Sequence, residues 1–184
     1  RPRALGEPMS WVDQLMRAVR DRPLGLAIDW SEIETRMGSA LPTDYKNLCE
    51  VLGSGHFCDY LTIYGSTEGP DSQLADVYEE NWQIAEEDEV GRCIYLPHGL
   101  FRPTGQRGLL QWGASSQGDE FAWIADSTTS PESWPVLARD DAQQSRRFDM
   151  SMSEFVYRLL VDESFEGFGG FGATGQAPYF TPSS

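Results

Sequence analysis

His56 and Cys58, two residues apart in "GSGHFCDY", are the first pair in this sequence whose types could do chemistry together. A thiol attacks as thiolate and needs a base beside it, and on an extended strand residues i and i+2 face the same way. The pair is therefore a candidate nucleophile and base, set against the plainer reading of a structural or solvent-exposed pair. His98 is the other histidine.

Carboxylates are plentiful but poorly spaced for acid and base work. Asp119 with Glu120, and Asp140 with Asp141, are chain neighbours, and adjacent residues of a strand point to opposite faces. Asp76, Glu79 and Glu80 would share a helix face and could hold a hard cation weakly, although a solvated acidic face needs no ion. The letters "GFGGFG" at residues 167–172 match the phosphate-cradling glycine pattern, which requires a strand before it and a helix after it. Here a helical pattern precedes and only a dozen residues follow, so the match is compositional. Cys49, Cys58 and Cys93 are odd in number and lack C-x-x-C spacing, which argues against a disulfide framework and a zinc site. No P-loop, H-E-x-x-H or G-x-S-x-G occurs. The residues imply no enzyme, no cofactor and no metal.

What the sequence does carry is charge. Its formal net charge is -15. That balance argues against direct binding of nucleic acid, because phosphate contacts need Lys and Arg. Between residues 47 and 91 there is no Lys or Arg, while eleven acids occur: Glu50, Asp59, Glu68, Asp71, Asp76, Glu79, Glu80, Glu86, Glu87, Asp88 and Glu89. A solvated face that only aids solubility accounts for such a run; a surface for a basic partner accounts for it equally. On the second reading Tyr78 and Trp82, set among these acids, would be aromatic anchors.

The elements that must position these groups follow from pattern. Ser10 with Asp13 reads as a capping box, with Trp11, Leu15, Ala18 and Val19 at helical spacing. Asp29 with Glu32 starts a second helix that Gly38 stops, and Pro42 opens a third at its first position, carrying Tyr45, Leu48, Cys49 and Leu52 inward. "DYLTIYG" alternates like a half-buried strand, and Leu74, Val77, Tyr78, Trp82 and Ala85 return to helical spacing. "GRCIYLPH", "GLLQWGA", "EFAWIAD", "WPVLARD" and "RRFDM" read as short strands of an antiparallel meander. Ser151 with Glu154 starts a last helix that buries Phe155, Leu159 and Leu160. Helices, then strands, then a helix argue for one α+β domain. No run of eighteen apolar residues is present, and "RPRALGEPMSW" lacks the apolar core of a signal peptide. A cytoplasmic location and no membrane contact are the expectations, with the sequence starting at Arg1 and anything upstream left open.

The order of "IDWSEIETRMGSALPTDYKNLCEVLGSG", "YLTIYG", "LLQWGASSQGDEFAWIAD", "SWPVLARD" and "FDMSMSEFVYRLL" resembles the SUKH superfamily. Its bacterial members are mostly immunity proteins of polymorphic toxin systems, and its fungal members regulate cell-wall synthesis. The resemblance runs from about Asp29 to Leu160 and marks a SUKH-like domain (29–163); an N-terminal arm and helix (1–28) precede it, and a Gly/Phe/Pro-rich tail (164–184), expected from its composition to be flexible, follows it. It implies N-terminal helices packed on a curved antiparallel sheet, closed by a C-terminal helix, and a binding protein without catalysis. Leu41, Pro42, Asp44 and Tyr45 match its helix-start motif, Trp112, Gly113, Gly118, Asp119 and Trp123 its hairpin, and Trp134 and Pro135 the next strand. Each tryptophan would fill a core or floor a groove, and the hairpin would hold a surface. The expected function is toxin neutralisation, with a basic nuclease as partner and Asp76, Tyr78, Glu79, Glu80, Trp82, Glu86, Glu87, Asp88 and Glu89 as the binding residues. A regulatory scaffold module is the alternative.

Overall fold

The computed structural model describes residues 8–65 and 73–183; Glu68 and Asp71 of the acidic run lie outside them. Among the described residues the element order is α1 (Trp11–Val19), α2 (Trp30–Met37), α3 (Thr43–Leu52), β1 (Gly55–Phe57), β2 (Leu61–Ile63), α4 (Leu74–Glu87), α5 (Glu89–Cys93), β3 (Gly108–Ser115), β4 (Glu120–Ala125), β5 (Val136–Arg139), β6 (Ser145–Phe148), α6 (Met152–Val161) and β7 (Phe180–Pro182). The strands form one open antiparallel sheet in the order β6-β5-β4-β3-β2-β1-β7, and the fold is α+β. No helix among these residues is long and apolar enough to cross a membrane.

Local chemistry sets the helix ends. The Ser10 hydroxyl accepts from the Asp13 amide while the Asp13 carboxylate accepts from the Ser10 amide, a complete capping box. Asp29 caps α2 through the Glu32 amide, and Ser151 caps α6 through the Glu154 amide. Two details differ from the sequence reading. Helix α1 buries Val12, Leu15 and Met16, while Trp11 is half-buried against Tyr157 at 5.3 Å. Pro42 precedes α3 rather than opening it, and Thr43 is the first helical residue.

Alternation on β4 divides the interior in two. Phe121, Trp123 and Ala125 face a large core with α1, α3 and α6, while Ala122 and Ile124 face the reverse side with Leu109, Leu137, Tyr95, Leu100 and Ala85 of α4. The central strands are thus buried on both faces. The β3–β4 hairpin, expected to hold a surface, is the middle of the sheet, and only its tip is exposed.

Residues 91–98 are not a strand. Asp88 caps α5 through the Gly91 amide, and the chain continues in turns to Gly99. The acidic cap starts a short helix over Glu89–Cys93, and the apolar run Ile94, Tyr95, Leu96 follows it in turns. Nor does the segment after α6 hang as a loose tail: Phe165, Phe168, Phe171 and Phe180 pack on the main core and β7 pairs with β1.

Candidate functional site

Helix α4 exists because Leu74, Ala75, Tyr78, Trp82 and Ala85 recur at helical spacing and have apolar surface to cover. Its N-terminal end reaches the main core through Leu74 and Ala75, and its C-terminal half covers the reverse face of the sheet. The opposite side of the helix carries the acids outward. Tyr78, Glu79, Trp82, Gln83, Glu86 and Glu87 form one wall of an open groove of about 510 Å³, whose other wall is Arg102, Pro103 and Thr104.

Both aromatics are fixed by one acceptor. Tyr78 Oη donates to the Phe101 carbonyl at 3.1 Å and Trp82 Nε1 to the same oxygen at 3.2 Å. Burial pushes the Tyr78 hydroxyl above its ordinary pKa, so it remains a donor. They are half-buried, neither free anchors nor core. The Arg102 guanidinium lies 3.5 Å from the Trp82 ring centroid and bonds Glu86 at 2.8 Å, a cation-π seat closed by a carboxylate.

The acids divide by what they touch. Arg36 of α2 bonds Asp76 at 2.6 Å and Glu79 at 2.7 Å, tying α2 to α4; its hydrogen bond holds the Glu79 carboxyl below its ordinary pKa. That guanidinium stands between Asp76 and Glu79, where a cation held by those two would have to bind. Asp88 is a helix cap. Glu87 accepts from Gln83, and Glu80, Glu87 and Glu89 are exposed with no ion pair among the described residues. Beyond the groove Ile84, Val90 and Leu96 stand exposed at 39%, 75% and 66%. Arg36 and Arg102 had no signal in the sequence, since each pairs across a long separation. The acids and aromatics expected together are largely together, but three of the acids are paired from within by two arginines.

The motif residues have structural work. Leu41 is buried with its amide on Glu34, and Pro42 is buried beside it. Tyr45 is buried edge-on against Trp123 at 5.2 Å and donates to the Tyr64 carbonyl at 2.6 Å. Trp112, Trp123 and Trp134 are at most 3% exposed and pack in the main core, and Trp134 also lines a groove of about 230 Å³ with Glu132, Pro135 and Met150. Trp134 Nε1 reaches the Asp126 carbonyl, the Pro135 carbonyl accepts from Ile124, and Trp112 Nε1 is buried without a hydrogen-bond partner among the described residues. At the β3 bulge a Cβ on Gly113 would stand 2.6 Å from the Thr62 carbonyl oxygen, so only glycine lets β2 approach. Gly118 turns the hairpin at φ +90°. The Asp119 carboxylate, buried, accepts from Tyr60 Oη at 2.8 Å and Ser115 Oγ at 2.7 Å.

The His56 and Cys58 pairing does not form as a strand would align it. β1 ends at Phe57, Cys58 turns left-handed at φ +53°, and His56 Nδ1 meets Thr62 Oγ1 at 2.8 Å. "GFGGFG" makes a tight turn closed by a Phe168–Phe171 bridge, with no helix after it. Among the described residues no group of three or more His, Cys, Asp or Glu is placed to hold a metal ion. No family model, curated protein or solved structure matches the chain.

Proposed function

We propose that this chain is a non-catalytic immunity protein, acting in the cytoplasm, that binds a cognate toxin domain with a basic surface, a nuclease, and covers the site that holds its nucleic acid. The observation that carries the reading is the acidic stretch of α4 and the start of α5: Glu80, Glu87 and Glu89 stand exposed without ion pairs among the described residues, and Glu87 lines a groove in which Tyr78 and Trp82 are already fixed. A nuclease must present positive charge to phosphates, and a rigid acidic face meets that charge in place of the nucleic acid. Electrostatic steering of this kind raises association rates by roughly ten- to a thousandfold and weakens as salt rises. Exposed Ile84, Val90 and Leu96 next to the acids supply apolar contact that charge alone lacks.

The chain itself enters the reading without a catalytic role, and without direct contact to nucleic acid or membrane. The test is capture with the purified chain from its native extract at low and moderate salt, with mass spectrometry as readout. A basic nuclease domain that is captured and then lost as salt rises supports the proposal. Capture of salt-insensitive cellular proteins instead supports a regulatory scaffold.

A further inference from the structure

The segment after α6 is anchored in two separate places. Its first part is held by phenylalanines: Phe165 lies 5.7 Å from Phe148 and 6.1 Å from Phe155, Phe168 lies 6.4 Å from Phe121, and Phe171 stacks on Tyr60 at 3.8 Å and 3°. Its last part is β7, whose register on β1 is Gly55 with Pro182, His56 with Thr181 and Phe57 with Phe180. Between them residues 174–177 are exposed, and Gly175 has φ +76°. These residues are a short connection, packed at Gly175 against the Glu163 carboxylate, between that phenylalanine root and the β7 strap.

The strap fits a shaped edge. The Phe180 ring lies 4.9 Å from Phe57, and a Cβ on Gly55 would stand 2.5 Å from the ring and 2.4 Å from the Thr181 carbonyl oxygen. Gly55 is the space the strap needs. Beyond the ladder, the Cys58 amide donates to the Tyr179 carbonyl and the Ser183 amide to the Ser54 carbonyl, both at 2.9 Å, and Tyr179 Oη donates to Asp59 at 2.9 Å. Tyr179, Thr181 and Pro182 are exposed, while Pro178 is buried and Phe180 half-buried. A short edge strand opens at far lower cost than the whole domain.

Opening would leave β1 with an unpaired edge and an aromatic-sized vacancy at Gly55, which is how an edge recruits a strand. We propose that the outer edge of β1 is a strand-docking surface that residues 178–183 fill from within the chain, and that the same segment of a second copy fills it in trans. The occupant is named by fit: this sequence places an aromatic ring over Gly55 and Phe57, and exchange between copies keeps every contact. Pro182, with no amide hydrogen, lies on the outermost strand and hinders addition of a further one outside it.

The experiment uses the full chain and a fluorescein-labelled peptide of residues 176–184. A tethered strap competes at an effective concentration of the order of mM. The Phe180→Ala chain, whose own strap is weakened, is expected to bind the peptide at least about tenfold tighter than the wild-type chain does. A peptide carrying the same Phe180→Ala change is expected not to bind. Equal affinity for both chains, or no binding to a Phe180→Ala chain that is folded by circular dichroism, overturns the proposal. A second arm mixes Gly55→Val, with a blocked edge and a free strap, with Phe180→Ala. A one-to-one heterodimer by size-exclusion chromatography with light scattering supports exchange between copies, and separate folded monomers overturn it. Should Gly55→Val not fold, the peptide arm alone decides, since the peptide is the second copy's segment.

Discussion

Asp44 and Ser153 join the first turns of α3 and α6. Asp44 Oδ2 accepts from the Ser153 amide at 3.0 Å, while Oδ1 accepts from the Tyr45 amide at 2.8 Å. One carboxylate thus satisfies free amides on two helices 109 residues apart in sequence, next to the N-terminal poles where negative charge is favoured. Asp44→Ala is expected to destabilise the domain by about 1–2 kcal/mol in urea unfolding, the cost of a lost cap plus an unpaired amide. Asp44→Asn keeps one acceptor oxygen and is expected to recover about half of that loss.

Glu132 has a related role with a pH signature. It accepts from Ser130 Oγ and from both the hydroxyl and the amide of Thr43, and these bonds lower its pKa from 4.5 to about 2. A carboxyl whose folded pKa is depressed adds stability above its unfolded value and loses it as pH falls through the folded one. Wild type is expected to be more stable than Glu132→Gln at pH 7, with the gap closing between about pH 4.5 and about pH 2. Urea midpoints across that range measure it. Glu132 is exposed, so solvent screening keeps the effect small.

The three cysteines should separate by reactivity. Cys49 is buried, and burial pushes its thiol up to about 12. Cys93 is exposed. Iodoacetamide at pH 8, read by mass spectrometry, is expected to label Cys93 rapidly and Cys49 only after denaturation. Labelling of Cys49 in the folded chain at the rate of Cys93 would contradict its placement in the core.

Local signals in the sequence translated well into structure. Ser10 with Asp13, Asp29 with Glu32 and Ser151 with Glu154 place three helix starts because a cap is a contact between residues three apart. The alternating hairpin translated too, although its place at the centre of the sheet did not: strand order is decided by non-local pairing. β1 has three residues and no period to read, and it exists because β2 and β7 flank it. The glycines of the last segment hid four phenylalanines with a core to reach. At the groove the acids and aromatics were legible from their run along one helix. Arg36, 43 residues from Glu79, was not, and it changes which acids are open to a partner.

The acids without ion pairs carry the account. Replacing Glu79 or Glu86 would also release Arg36 or Arg102, so Glu80→Lys, Glu87→Lys and Glu89→Lys together make the cleaner probe. The decisive measurement is the affinity of the captured nuclease domain for the wild-type and triple-variant chains from about 50 to 300 mM salt, above and below a Debye length of about 10 Å. The account predicts at least about a tenfold loss for the variant at low salt and a flatter salt dependence, with nuclease inhibition lost in parallel. Equal affinity and equal salt slope for the two chains would contradict it.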